Sequence, residues 1–406
     1  MNPADMPLIL SWARSPVAPV GGALSALAPH ELAAPVLQAL LARAGLSATA
    51  VDAVVLGNAL GAGGNPARML ALAAGLPLRC AAHSVDTQCC SGLDSVALAV
   101  GLLQSGQAEV VVAGGAEAWS RAPLRHTRPR HAGELPVAYE RPPFAPDPAR
   151  DPDLLQSAAD HALDRGITRA QQEAYAAHSH DRALARGPAL MAEIVPVAGL
   201  AQDSYPRRLD ATRMARMPVA ALSGRDTDPA RLQAHALSTP TISPKADGAA
   251  LVLLATPRAC ARLGLQARAR WLASASVGQA PETPLLAAAL AAAQALERGA
   301  RQQGWTPLPA RSLQAVELHD AFAVQGLDFC QALDLDPDRI NAGGGGLARG
   351  HPIGASGAIA LVRMLAELQH AHAAERPALG LAAIAGAGGI GAACLAQALP
   401  PDTCLP

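Results

Sequence analysis

Short apolar runs that stop at a glycine or a polar residue, with helical patterns between them, limit most strongly what this chain can fold into. Val51–Leu56, Glu109–Ala113, Ala249–Ala255, Ala315–Leu318 and Leu381–Ala385 are rich in Val, Leu or Ala and read as buried strands. Helical periodicity predicts helices over Glu31–Ala44, Gly92–Ser105, Pro284–Arg301 and Ala355–His370. Strands alternating with helices predict an α/β fold whose sheet is covered on both faces. Half of the residues are hydrophobic but only 2% are aromatic, so the core must be made of Ala, Leu and Val, which let helices close tightly on a sheet.

The middle of the chain breaks this rhythm. Residues 121–153 are dense in Pro and Arg, and proline removes the donors a regular ladder needs. A helix at Arg169–Arg186 and a second irregular stretch near 199–245 follow, before the apolar strand character resumes at Ala249. This pattern predicts one α/β half over residues 1–122 and 248–273, interrupted by an inserted domain over 123–247, and a second half over 274–406. CCSGLDSVAL from Cys89 and IGASGAIAL from Ile353 each open a helix, and each is followed by a strand that ends in glycines. The two halves read either as a duplicated unit or as two uses of the same small-residue turn.

A formal net charge of −1 gives no global basic field for nucleic acid. Arginines cluster at 121–150 and 207–231, as either a solvated surface or an anion site for a phosphorylated cofactor. The N-terminal MNPADMPLILSW lacks the form of a signal peptide, DTCLP carries no targeting tripeptide, and no apolar run has membrane-spanning length. The seven cysteines show no metal-ligand spacing, which fits a reduced, cytoplasmic setting.

Four segments carry possible chemistry. Cys89 precedes Cys90-Ser91-Gly92 and a good helix, where the dipole and free N–H groups favour a thiolate; free cysteines are also often small buried hydrophobes. His351 lies in NAGGGGLARGHPIGASG, where seven glycines in seventeen residues exclude a regular helix or strand and make a shaped loop. His319 and Asp320 end a predicted strand, a place suited to an α/β active site and equally to a satisfied structural histidine. In AGAGGIG, Ala385–Gly391, small residues are able to aim backbone N–H groups at an oxyanion; as a pyrophosphate fingerprint the segment lacks an acidic partner downstream.

Taken together and in order, these segments resemble the thiolases, the acyl-CoA acyltransferase branch of their superfamily. The resemblance runs from about residue 8 to 398 and rests on VDTQCCSGLDSVALA, AGGAEAWSRAP, ITRAQQEAYAAHSHDRA, EIVPV, ADGAALVLL, HDAFA and NAGGGGLARGHPIGASGA. It implies two similar halves in an αβαβα layering, with a loop domain covering coenzyme A. It implies Cys89 as the acylated nucleophile, His351 as its activating base and His319 as the holder of a catalytic water. His351 and that water would form one oxyanion hole, and the backbone N–H groups of Cys89 and Ala387 the other. Ser243, Ala321 and Phe322 match positions beside the pantetheine arm. The resemblance further implies acyl-CoA as substrate, no resident cofactor, no metal, and a homodimer or homotetramer.

The pattern departs from the family at one decisive place. Thiolases that make or cleave carbon–carbon bonds carry a second cysteine in a C-x-G-G-G-x-G loop, and here Ala385 stands in its position. The Ala387 N–H survives the change, so acylation of Cys89 is retained, whereas the Claisen or thiolysis step loses its proton carrier. Cys394 lies in the apolar run after this loop and reads as part of a strand core, and the Cys90 side chain is expected to point away from that of Cys89. Asp86, where many thiolases have Asn, adds a negative charge near it. Three readings follow: an acyltransferase with an acceptor that needs no deprotonation here; a conventional acetyl-CoA acetyltransferase or 3-ketoacyl-CoA thiolase with another base; and a non-catalytic acyl-CoA-binding subunit.

Overall fold

The computed structural model describes residues 6–61, 63–371 and 378–400. The first five residues, Cys404 and the C-terminal tripeptide lie outside the described residues.

The N-terminal half contributes strands β1 (Leu8–Arg14), β2 (Ala53–Gly57), β3 (Ala81–Val85), β4 (Val110–Ala118) and β5 (Ala246–Ala255). The C-terminal half contributes β6 (Ala269–Gly278), β7 (Ala315–His319), β8 (Leu379–Gly386) and β9 (Ile390–Ala398). In the first half the spatial order is β3-β2-β4-β5-β1, with β2 parallel to β4 and the next two pairings antiparallel. In the second it is β7-β8-β9-β6, with the same sequence of one parallel and two antiparallel pairings. The halves therefore repeat one topology. They join edge to edge at two residue pairs, Leu8 with Arg270 and Ile9 with Ala269.

The helices complete five layers. Helices α1 (Pro29–Ala44) and α2 (Ser91–Gln104) belong to the first half; α3 (Leu154–Arg165) and α4 (Arg169–Ala185) to the insertion; α5 (Ala287–Gln303), α6 (Ala323–Ala332) and α7 (Ile353–Ala371) to the second half. α1 covers the outer face at β5 and β1, and α5 covers the outer face at β6 and β9. α2 and α7 pack on each other between the two half-sheets, α2 against β2 and β4, α7 against β7, β8 and the first half. The result is an αβαβα arrangement. Local signals explain the helix ends. Pro29 starts α1, the Glu31 carboxylate accepts the Ala28 N–H at 2.7 Å, and Gly45 closes the helix at φ +63°. Thr168 and Gln171 form a reciprocal cap on α4.

Small side chains govern the central layer. A Cβ on Gly92 would lie 2.7 Å from the Gly354 carbonyl oxygen, and one on Gly115 would lie 2.0 Å from the same atom. α7 can therefore reach both α2 and β4 only because these positions lack a side chain.

Two differences from the sequence reading have physical causes. The division between residues 273 and 274 falls inside β6, which pairs with β9 along its whole length and touches β1 at only two residues. The first half instead closes with the helix Pro257–Leu263 and its left-handed cap Gly264, and β6 belongs to the second half. Likewise, β5 begins at Ala246, two residues before the expected return to the core. The insertion itself holds α3, α4 and two small hairpins, and among the described residues it adds no strand to the main sheet.

Candidate active site

Cys89 sits at the tip of a strand–turn–helix corner. β3 ends at Val85, and the chain reverses through Asp86–Cys90 before α2. Gln88 takes φ +54°, a left-handed conformation that non-glycine residues adopt at a cost of about 1–3 kcal/mol. The corner is held by Cys90 N–H to the Thr87 carbonyl at 3.1 Å, Ser91 N–H to the Gln88 carbonyl at 3.1 Å, and Thr87 N–H to the Ser91 hydroxyl at 2.9 Å. This geometry presents the thiol toward the start of α7.

His351 arrives there from the other half. Its N–H donates to the Pro244 carbonyl at 2.7 Å, and the Trp119 indole N–H donates to its carbonyl at 3.0 Å. Its Nε2 lies 3.2 Å from the Cys89 Sγ. The other ring nitrogen, Nδ1, lies 2.8 Å from the Ser356 hydroxyl oxygen. Ser356 has a single hydroxyl proton, which it donates to the Pro352 carbonyl at 3.0 Å. Its oxygen must therefore accept from Nδ1–H, which leaves Nε2 as the free lone pair facing the thiol. The network assigns the tautomer that a general base requires.

The ionisation state differs from the sequence expectation of a helix-stabilised thiolate. Cys89 lies two residues before the first helical residue and is only 9% exposed. Burial pushes its pKa up to about 12, although the backbone N–H groups of Ala387 and of Cys89 itself point at the sulfur and oppose the shift. Asp86, exposed at the surface, contributes the smallest of the causes. Burial also pushes His351 down to about 4. Burial thus penalises the charged form of both partners and opposes a standing thiolate–imidazolium pair.

His319 ends β7 and stacks on His351, with ring centroids 4.4 Å apart and planes 26° apart. Burial, followed by electrostatic interaction with His351 and Arg349, holds it well below the ordinary histidine value. A Cβ on Gly346 would lie 2.6 Å from its Cε1, so this glycine is the wall against which the ring rests.

Ala387 opens the β8–β9 hairpin, whose Gly388 and Gly389 take φ of +80° and +78°. Ala385, 8% exposed and paired with Gly391, supplies a methyl group and no titratable atom. Neither neighbouring thiol takes over its position. Cys90 is fully buried between the sheets with its Sγ 3.8 Å from the Ile384 carbonyl, and Cys394 lies in β9 with its pKa pushed up to about 12 by burial. Ser243 and Ala321 sit side by side. Ser243 N–H donates to the Ala321 carbonyl at 2.9 Å, and its hydroxyl donates to the Gly346 carbonyl at 2.7 Å. The Phe322 ring is buried with Ala158, Ala159, Ile167 and Leu237 of the insertion, and so supports this wall from behind. Among the described residues no group of three or more His, Cys, Asp or Glu side chains is arranged to hold a metal ion.

Sequence reasoning missed three supports of this site. Ser356, which fixes the His351 tautomer, was visible only as a small residue five positions on. Trp119 and Glu117 lie in AGGAEAWSRAP, where no local pattern assigns them a role. Glu117 is buried, accepts the Ala59 and Gly354 N–H groups at 2.8 and 3.0 Å, and so ties the start of α7 to the first half. Burial pushes its pKa up to about 7 despite these bonds.

Comparison with known proteins agrees with this geometry. The family model described as "Thiolase, N-terminal domain" matches residues 8–258, and "Thiolase, C-terminal domain" matches residues 265–398. An acetyl-CoA acetyltransferase of Allochromatium vinosum is 34% identical over 394 residues, covering 95% of this chain and 97% of that relative. The crystal structure of the Bacillus anthracis acetyl-CoA acetyltransferase superposes with a TM-score of 0.85 at 30% identity, covering 97% of this chain and 99% of that one. The Acat5 thiolase of Ascaris suum, solved in complex with coenzyme A, superposes with a TM-score of 0.84 at 30% identity, covering 97% of this chain and 100% of that one.

Proposed function

The chain belongs to the thiolase family and is an acyltransferase, and from that premise we propose that it takes an acyl group from acyl-CoA onto Cys89 and passes it to an acceptor, with carbon–carbon chemistry impaired by Ala385. The observation that carries this reading is the 3.2 Å contact between the Cys89 Sγ and the lone-pair nitrogen of His351. As the thiol approaches a thioester carbonyl, its proton passes to Nε2 of His351 and the sulfur forms the new C–S bond. The carbonyl oxygen becomes an oxyanion held either by the N–H groups of Cys89 and Ala387 or by His351 and a water on His319. When the bond to the coenzyme sulfur breaks, the His351 imidazolium returns its proton to that sulfur. The apolar surroundings suit this exchange, since thiol and thioester are traded without a net charge being left in the site.

The next step separates the readings. Removing an α-proton needs a base, and the alanine at position 385 cannot supply one. Loss of a positioned base typically costs about 10²–10⁴-fold. An acceptor that needs no such deprotonation remains open, including a specialised biosynthetic nucleophile or water. The names of the relatives favour a second reading, acetyl-CoA acetyltransferase activity with another group as base. The intact Cys89–His351 contact speaks against a silent acyl-CoA-binding subunit. A homodimer or homotetramer is part of the proposal. It is supported by the solvent-facing edge strand β3 and by the exposed Leu78 just before it. A cytoplasmic setting belongs to it as well; among the described residues no helix is long and apolar enough to cross a membrane.

Intact mass after incubation with acetyl-CoA and longer acyl-CoAs tests the reading. An acyl adduct that disappears in Cys89→Ala supports it, and no adduct with any donor overturns it. Ala385→Cys is expected to raise thiolysis of acetoacetyl-CoA by up to about 10²–10⁴-fold, and an unchanged rate would refute the account of the missing base.

A further inference from the structure

Several buried polar groups take no part in the proposed acyl transfer. Asp320 follows His319 directly and is fully buried. The Tyr175 hydroxyl, carried by α4 of the insertion, donates to its Oδ2 at 2.9 Å. Asn341 Nδ2 donates to the same oxygen at 3.2 Å, and the Leu347 N–H reaches Oδ1 at 3.4 Å. Packing permits this convergence only through glycines. A Cβ on Gly326 of α6 would lie 2.3 Å from the Tyr175 hydroxyl, and one on Gly345 would lie 2.1 Å from Asp320 Oδ1.

The contacts form a continuous path. Tyr175 holds the carboxylate; the carboxylate holds the backbone at Gly345–Leu347; Gly346 walls the His319 ring; His319 stacks on His351. The His351 side chain has its own anchor in Ser356, but the described contacts give the His319 ring no hydrogen-bonded anchor, and its buried Nε2 has no partner. Its orientation therefore depends on the wall behind it.

We propose that Tyr175 and Asp320 are positioning residues, by which the inserted domain sets the ring of His319 against His351 for acyl transfer. The inference rests on the acyl-transfer reading above and assigns the insertion a part in the chemical step as well as in covering substrate. Tyr175 lies in the covering domain and Asp320 in the catalytic half, so any displacement of α4 loosens the carboxylate and with it the His319 wall.

The titratable groups facing the Tyr175–Asp320 pair are Arg182 on α4, Cys330 on α6 and Arg349 on the glycine-rich loop. Burial pushes the Asp320 pKa up to about 6, and the bond from Tyr175 opposes that rise. Protonation removes acceptor capacity from the carboxylate, so turnover falls as the pH drops through about 6. Without the Tyr175 hydroxyl the folded pKa rises further, and the acid limb moves to higher pH.

The test follows exchange of labelled coenzyme A into acetyl-CoA, which requires no knowledge of the acceptor. Tyr175→Phe removes the donor. Gly326→Ala keeps the tyrosine but displaces its hydroxyl, so the two variants break one hydrogen bond in different ways. Both are expected to lower kcat for exchange about 10-fold with KM changed less than about twofold, and to shift the acid limb of the pH profile upward. Wild-type kcat in Tyr175→Phe overturns the proposal, as does a loss of activity with an unmoved acid limb, which marks a purely structural role. Absence of both exchange and an acyl adduct in the wild-type protein overturns the acyl-transfer reading itself, and with it any role of this pair in turnover.

Discussion

At the scale of single residues, the site shows how burial and reactivity are reconciled. A thiol pushed up to about 12 and an imidazole pushed down to about 4 are poorly set for a standing ion pair. They are well set for a proton that moves only when a carbonyl arrives to share the developing charge. This has a consequence for labelling. A thiolate–imidazolium pair alkylates at a rate that levels off well below the ordinary thiol pKa. A thiol raised by burial alkylates faster as the pH climbs, because its reactive form is still scarce. Mass-resolved alkylation of Cys89 with iodoacetamide is expected to keep accelerating past pH 9.0, the ordinary thiol value. A plateau near neutrality would show that the resting site is ionised. Ser356 acts at the same scale through one shared proton, and no periodicity in the sequence announces such a bond.

At the scale of elements, two central helices meet through glycine. Cys89 precedes α2 and His351 precedes α7, so the contact between these helices sets the sulfur-to-nitrogen distance. A methyl on Gly92 would meet the Gly354 carbonyl oxygen at 2.7 Å and the Ala358 nitrogen at 3.0 Å, both backbone atoms that move only with the helix. Gly92→Ala is expected to cost about 1–3 kcal/mol in stability and to slow Cys89 acylation by acetyl-CoA. Denaturant unfolding read beside the rate of adduct formation checks this, and loss of neither quantity would contradict the packing account. Legibility in the sequence follows the same physics. β5, β7 and β8 were readable because runs built mainly of Ala, Leu and Val mark strands buried on both faces. β1 was missed because Ser11 and Arg14 interrupt its apolar run, β6 because Arg270, Ser274 and Ser276 interrupt its own, and β3 because an exposed edge strand carries AAHSV. Cys89, His319 and His351 stood out through their glycine-rich loops and the family resemblance. Tyr175 and Asp320 act together across 145 residues of sequence, and no local pattern links them.

At the scale of the whole molecule, the inserted segment is fastened to both halves by a buried ionic network. Glu193 accepts Arg14 Nε of β1 at 2.6 Å and Arg363 Nη1 of α7 at 2.6 Å, while Asp203 accepts Arg14 Nη1 at 2.7 Å. Arg14, Glu193 and Arg363 are all essentially inaccessible to solvent. Such networks are weak as a source of net stability, because desolvation opposes the attraction, but removing one partner strands the others. Glu193 is the worst to lose, since among the described residues it alone bridges both arginines. Burial pushes Glu193 and Asp203 upward, yet the arginine charges outweigh it and hold both carboxylates below their ordinary values of 4.5 and 3.8. Carboxylates depressed on folding contribute stability that is complete above those values and is lost as the pH falls through the lower folded ones. Glu193→Gln keeps the shape and deletes the charge. It is expected to destabilise the protein by about 3–5 kcal/mol and to remove part of the acid sensitivity of wild-type unfolding. If the network is the latch, amide hydrogen exchange will rise first in the stretch around residues 190–205 and in α4, while β4 and β5 stay protected. Uniform exchange across the chain would instead mean that the insertion and the core unfold as one unit. In that case Tyr175 and the insertion could not move independently of the catalytic halves that they touch.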